Sequence, residues 1–305
     1  MVLFSVIIPH YNSVKYLEKL VKSIPAEEMV QVIVVDDKST QDTKEAEKLV
    51  LSRGGLFIHN TTDKKGAGVC RNLGLKEAKG KWLLFADADD YYVDGAFDTV
   101  KDYADSEADI VYFSPVSVYI DTEKQAERHV PYEILIRNYQ KDPSVSNEIS
   151  MRYKFIIPVS KMVRNELVQK NNILFDEIPA SNDVMFSLKC AEKACKLEVT
   201  DKVIYCITKA EGTLTTKRDE INFWARVQVF KERCLFLRER LNEAELCAFG
   251  FSTFSGLVMI IRALKQGYGL KMAKEIYCFY RKNDVKIIDR KSLLISLRNQ
   301  FVGRK

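Results

Sequence analysis

Residues 81–94, KWLLFADADDYYVD, form a short apolar run that stops in three carboxylates, Asp87, Asp89 and Asp90. A strand buried along its middle can carry such a knot of charge only at its open end. Like charges crowded there repel one another unless a cation joins them. Residues two apart in an extended segment point the same way, so Asp87 and Asp89 project to one side and Ala88 leaves space between them. That arrangement suits a divalent ion bound to a phosphate. It also suits a solvated strand-to-helix turn, with Asp94 capping a helix over 97–103. The elements around the motif must decide.

Residues 4–8, 30–35, 56–59, 82–85 and 109–113 are short β-branched or apolar runs, and each reads as a buried strand. Helical stretches lie between them. After Asn12 and Ser13, which can cap, Tyr16, Leu17, Leu20, Val21 and Ile24 fall on one helical face. Residues 43–52 and 69–78 supply two more helices. This alternation predicts an α/β fold with a mostly parallel, doubly wound sheet. In such sheets ligands bind beyond the carboxyl ends of the strands. Three polar clusters fall there: Pro9-His10-Tyr11-Asn12, Asp36-Asp37-Lys38-Ser39 and Asp87-Ala88-Asp89-Asp90. Three clusters on one rim predict a site. Residues 115–158 are looser and more polar, with a weak helix signal over 132–139. A helix over 159–171, a helix over 182–193 and strands around 197–207 follow, and the chain beyond Asp219 reads as helical. Residues 246–261 hold no charge for sixteen positions but include Ser252, Thr253, Ser255 and two glycines. A spanning helix needs about 20 strongly apolar residues, so this segment reads as a buried or interfacial helix.

At 305 residues, 47% hydrophobic and 29% charged, the composition is that of a folded soluble protein with one large domain or two modest ones. The seven cysteines are scattered, with no CxxC pair, and read as reduced structural thiols of a cytoplasmic protein. The N-terminus shows neither a basic leader nor a cleavage site, so no signal peptide is expected. Net charge is +5, but residues 262–305 carry twelve Lys and Arg against three Asp and Glu, which leaves −4 for everything before them. In that tail Leu293, Leu294, Leu297 and Phe301 share one helical side, flanked by Arg290, Lys291, Arg298, Arg304 and Lys305. Such a helix either docks on an anionic membrane or packs as an ordinary surface helix. Aromatic stacking positions near the basic charge are sparse, so no nucleic-acid partner is expected.

With the rim residues assembled, the chain resembles the family 2 glycosyltransferases of the GT-A fold, inverting enzymes that use nucleotide-diphosphate sugars. The matching pieces are SVIIPHYN, VIVVDDKSTQDT, GAGVCRNLGL, GKWLLFADADD and ILFDEIPASNDVMF, in the family's order. The resemblance implies a donor half over 1–115, an acceptor half over 116–215 carrying the base, and a helical basic region over 216–305. It places Asp37 and the backbone of Pro9 at the nucleotide base. A carboxylate there accepts the imide N–H of uracil, which favours a UDP-sugar. Tyr11 offers an aromatic platform, and the turn holds Lys38 where the family often has glycine. As a turn residue, Asp37 would do no more than precede a helix capped by Ser39 or Thr40.

Gly66-Ala67-Gly68 lets the backbone approach the ligand, and Arg71 forks onto nucleotide or diphosphate oxygens. By resemblance Asp87 and Ala88 contact the donor, Asp89 is the direct metal ligand, and the ion is Mn²⁺ or Mg²⁺. Asp90 either supports that ligand from behind or is a turn residue. The family's base is the aspartate of a Glu-Asp pair, which here reads Asn182-Asp183. Asp183 is thus the implied catalytic base, against the plainer reading of a carboxylate decorating a helix start. Gly212-Thr213-Leu214-Thr215 resembles the loop over the diphosphate; the aromatic-arginine element before it is missing, and Lys209 is the substitute cation. The implied activity is metal-dependent, inverting transfer of a sugar from a UDP-sugar to a saccharide or lipid-linked saccharide. The implied setting is surface polysaccharide or glycolipid synthesis, at the inner face of the membrane. Two alternatives are weighed. A sugar-phosphate nucleotidyltransferase would need a glycine-rich loop after the first strand, which HYNSVKYL lacks. A non-catalytic nucleotide-sugar or polysaccharide-binding subunit would explain Asn182 and the altered loop near Lys209.

Overall fold

The computed structural model describes residues 1–209, 219–242, 245–246, 249 and 254–290. The chain divides into two compact units, Met1–Thr213 and Leu214–Lys305. The first opens with β1 (Phe4–His10), α1 (Val14–Ser23), β2 (Val30–Asp36), α2 (Lys44–Ser52), β3 (Leu56–His59), α3 (Ala67–Glu77) and β4 (Trp82–Phe85). It continues with β5 (Tyr91–Tyr92), α4 (Ala96–Asp102), β6 (Ile110–Tyr119), α5 (Val130–Lys141), α6 (Val145–Lys154), β7 (Lys161–Arg164), α7 (Asn165–Lys170), α8 (Val184–Lys193) and β8 (Leu197–Lys209). The strands make one sheet in the order β3-β2-β1-β4-β7-β6-β8-β5. β3, β2, β1 and β4 are parallel, as are β6 and β8, while β7 and β5 run against their neighbours.

Alternation of side chains sorts the core into two layers. Phe4, Val6 and Ile8 of β1 pack with Leu17, Leu20 and Val21 of α1 on one face. Ile7, Ile33 and Phe85 pack with Cys70 and Leu75 of α3 and Phe186 of α8 on the other. Because both faces are covered, the central strands are continuous apolar runs, and their polar residues are displaced to the ends.

Two expectations are corrected. Residues 159–171 are not one helix: 161–164 form β7, inserted between β4 and β6, with Val163 opposite both Leu83 and Ile110. Burial between two strands outweighs the helical preference of Lys161, Met162 and Arg164. Asp94 does not cap α4; Gly95 does, at φ 73 in the left-handed region open to glycine. Just past the β4 rim, Tyr91 and Tyr92 pair with Cys206 and Tyr205 of β8.

The second unit contains α9 (Glu220–Arg240), α10 (Leu257–Lys265) and α11 (Gly269–Lys282). The loop 212–215, residues 250–253 of the uncharged segment and the basic apolar stretch 291–305 lie outside the described residues. The described cysteines are all free thiols. Among the described residues no helix is long and apolar enough to cross a membrane.

Candidate active site

β1 and β2 end side by side, His10 opposite Asp36, and the loops that leave them are stitched together. Asn12, at φ 49, accepts on its side-chain oxygen from the backbone N–H groups of Thr40 and Gln41, at 2.9 and 3.1 Å. Asp36 is buried and lies below the usual carboxylate range; burial opposes its ionisation, but hydrogen bonds from Ser39 and His10 outweigh that. Asp36 therefore anchors the turn, and the next residue, Asp37, faces the ligand side. Asp37 accepts from Asn60 Nδ2 at 2.9 Å on one oxygen and from the Gly66 N–H at 2.7 Å on the other. The Cys70 thiol also bonds to Asp37, which is buried at the cavity wall.

Pro9, Tyr11, Asp37, Asp87, Ala88 and Asp89 line one open cavity of about 330 Å³, with His10, Ser13, Tyr16 and Ala67 completing its wall. Tyr11 is half exposed there, with Lys65 Nζ 5.3 Å from the centre of its ring.

Arg71 lies behind that wall. It is buried, and one arm of its guanidinium meets Asp87 Oδ1 at 2.5 Å while the other donates to Asn182 Oδ1 at 2.7 Å. Its neighbour Asn72 clamps the segment after α7: Nδ2 donates to the Phe175 carbonyl at 3.0 Å, and Oδ1 accepts from the Phe175 N–H at 2.9 Å. Between them α3 fixes the loop that delivers Asn182 and Asp183. Contact is so close that a Cβ on Gly68 would lie 2.2 Å from the Asp176 carbonyl oxygen. Asn182 holds Arg71 through a neutral amide oxygen, so it adds no charge beside Asp183.

Asp183 stands at the start of α8 and makes no side-chain cap hydrogen bond. Burial pushes its carboxyl above the usual range, opposed chiefly by Arg71; Asp87 adds to the rise and Lys161 counters it. Lys161 was not singled out by sequence. It is fully buried in β7, donates to Ser187 Oγ at 3.0 Å one turn along α8 from Asp183, and is pushed down to about 8 by burial, against the pull of Cys190 and Asp183. Its sequence neighbours Ser160 and Met162 set up no pattern that would mark it.

Asp89 reaches solvent through the cavity mouth with protein on its other sides; that partial burial, and Asp87 two residues away, push its carboxyl up. Arg128 opposes the rise, its Nη1 donating to the Thr208 carbonyl at 2.8 Å. Lys209, the cation expected from sequence, instead has Nζ 5.2 Å from the Tyr119 ring centre. Arg128 sits in a polar loop with no motif, so nothing in the sequence marked it. Asp90 faces inward: it accepts from the Thr208 N–H at 2.7 Å and from Tyr205 Oη at 3.0 Å, and burial, then Asp87 and Asp89, drive its carboxyl far upward. It ties the β4 loop to β8.

Among the described residues no three His, Cys, Asp or Glu side chains converge as a ready-made metal cage. The donor set still fits a hard divalent ion that takes one or two carboxylates and completes its shell with ligand phosphates and water. Asp89, open and repelled by Asp87, is the carboxylate that such an ion would relieve.

The glycosyl transferase family 2 model matches residues 5–170, which include the cavity wall and Arg71. The chain belongs to that family. The poly(ribitol-phosphate) beta-N-acetylglucosaminyltransferase TarS of Staphylococcus aureus is 32% identical over 219 residues, 70% of this chain and 36% of TarS. The chain thus spans about a third of that relative's length. A beta-1,3-glucosyltransferase of Escherichia coli, WfaP, described as acting from UDP-Glc on a diphosphoundecaprenol-linked sugar, is 32% identical over 125 residues, 40% of this chain and 49% of WfaP. The crystal structure of TarS 1–349 with UDP-GlcNAc superposes with a TM-score of 0.64 at 26% identity, over 81% of this chain and 70% of that one. The mannosyltransferase PcManGT of Pyrobaculum calidifontis, solved with GDP-Man and Mn²⁺, shares the fold at a TM-score of 0.55 and 16% identity, over 99% of this chain and 79% of its own. The family 2 chain described here therefore has the GT-A fold, a mostly parallel mixed sheet with a helical extension.

Proposed function

We propose that this family 2 chain is a metal-dependent, inverting glycosyltransferase that moves a sugar from a UDP-sugar to a hydroxyl of a saccharide or lipid-linked saccharide. The observation that carries the reading is Arg71, whose single guanidinium joins Asp87 in the donor cavity to Asn182 beside Asp183. Donor recognition and the candidate base are then parts of one charge network.

Asp37 accepts the uracil imide N–H, Pro9 and Tyr11 bound the base, and Asp87 and Ala88 face the ribose and diphosphate. Residues 1–115 hold the donor, and 116–215 present the acceptor. Mn²⁺ or Mg²⁺ held at Asp89 would offset charge on the departing diphosphate. Asp183 takes the proton of the acceptor hydroxyl as that oxygen attacks the anomeric carbon opposite the diphosphate, so configuration inverts. Arg71 and Lys161 keep Asp183 ionised despite its burial. The relatives are named for poly(ribitol-phosphate) and for a diphosphoundecaprenol-linked sugar, which supports synthesis of a surface polysaccharide or glycolipid. The basic C-terminal region fits work at the cytoplasmic face of an anionic membrane.

Incubation with radiolabelled UDP-sugars, Mn²⁺ and a lipid extract tests this. Transfer or hydrolysis abolished by Asp183→Asn supports it. Donor binding without turnover on any acceptor would instead favour a nucleotide-sugar-binding subunit.

A further inference from the structure

In the second unit α10 and α11 pack on each other across the turn Gln266-Gly267-Tyr268. Met259 and Ala263 are the buried residues of α10, and Met272, Ala273 and Ile276 are buried on α11. That face alone would make α10 an ordinary amphipathic helix. Its opposite side is apolar too: Leu257, Ile261 and Leu264 follow helical spacing, and Ile261 and Leu264 are each 42% exposed. Just past the turn Leu270 is 80% exposed. A short helix that is apolar on two sides has a second face still to be covered.

Charge says what covers it. Residues 257–274 include Arg262, Lys265, Lys271 and Lys274, all exposed, and no Asp or Glu. We propose that the α10–α11 tip docks on an anionic lipid surface, seating Ile261, Leu264 and Leu270 at the acyl boundary while the four basic residues meet headgroups. A second copy of the chain is disfavoured, because a two-fold contact sets the same four positive charges against themselves. The chain's own residues 291–305 are likewise basic, with four Lys and Arg and no acid. Nucleic acid wants aromatic stackers, whereas the exposed side chains here are aliphatic. Tyr268 is already engaged, its hydroxyl donating to the Asp219 carbonyl at 3.2 Å.

The inference deepens the membrane-face part of the proposed function by naming the surface that makes the contact; no cavity residue takes part, so its failure would leave the transfer reaction untouched. The test is co-sedimentation of the full chain with vesicles of pure phosphatidylcholine and with vesicles that are about a third phosphatidylglycerol, where each basic contact is worth on the order of 1 kcal/mol. The wild type is expected to sediment with the anionic vesicles alone, and less so as salt rises. Leu264→Asp/Leu270→Asp and Lys271→Glu/Lys274→Glu alter only exposed side chains, so each should keep the wild-type circular dichroism and its transfer to a soluble acceptor. Each is expected to lower vesicle affinity by at least about tenfold. Wild type that stays in the supernatant, or variants that sediment as well as wild type, would overturn the proposal. A wild-type dimer in sedimentation equilibrium that dissociates in Leu264→Asp/Leu270→Asp would overturn it in favour of self-association. Retention on RNA abolished by Lys271→Glu/Lys274→Glu, with no vesicle binding, would overturn it as well.

Discussion

Asp89 and Asp183 are both carboxylates pushed upward by burial, yet the company they keep is opposite. Asp89 opens to solvent, has another carboxylate two residues away, and is countered by a backbone hydrogen bond and by Arg128 from a polar loop. Asp183 is only partly exposed, with the Arg71 guanidinium and the Lys161 side chain within electrostatic reach of it. In the proposed reaction a cation arriving with the ligand would complete the first arrangement, whereas the second already has cationic side chains of its own. The proposal thus gives the first carboxylate to the metal and the second to the acceptor proton.

The largest effect expected from this contrast is on turnover. Asp183→Asn should lower kcat by roughly 10²–10⁴-fold while the Kd for the UDP-sugar, from calorimetry, stays within about twofold. Equal losses in both would break the contrast. Asp89→Asn should do the reverse, removing the Mn²⁺-dependent part of donor binding. In a thermal-shift titration at about 100 times Kd, the wild type should gain roughly 2.7 kcal/mol from donor with Mn²⁺. The variant should respond alike with Mn²⁺ and with EDTA.

A smaller effect is expected in the pH profile. Asp183 works as its base form, so kcat/KM is full above its pKa and falls as pH drops through it. Because that carboxyl is raised above 3.8, the acid limb should lie above the ordinary carboxylate range. Lys161→Met removes one opposing cation and should move the limb to still higher pH; an unmoved limb would leave Lys161 a packing residue. The smallest effect belongs to Lys38, which sits at φ 58 with its ammonium on the Thr62 carbonyl. Lys38→Gly relieves a left-handed backbone but loses that bond and loosens the unfolded chain, so chemical denaturation should change by no more than about 1 kcal/mol.

Most of the parallel sheet was legible because β1, β2 and β4 are buried on both faces and so spell continuous apolar runs. The rim clusters were legible for the same reason, since polar residues next to such runs have only the strand ends to occupy. β7 was not. Lys161-Met162-Val163-Arg164 has no strand pattern of its own, and its conformation is imposed by β4 and β6, both distant in sequence. Lys161 and Arg128 escaped notice with it, for a side chain placed by long-range pairing leaves no local spacing to read. The sequence alone leaves Asp90 between two roles, and the partner strand β8, with Tyr205 and Thr208, decides that it faces inward.

The near-collision at Gly68, whose missing methyl group makes room for the Asp176 carbonyl, has a corollary. α3 and the loop that bears Asp183 form one casting, fitted main chain to main chain. That loop has little freedom to shift without a collision, so a change that spares the fit has to fall in segments outside it.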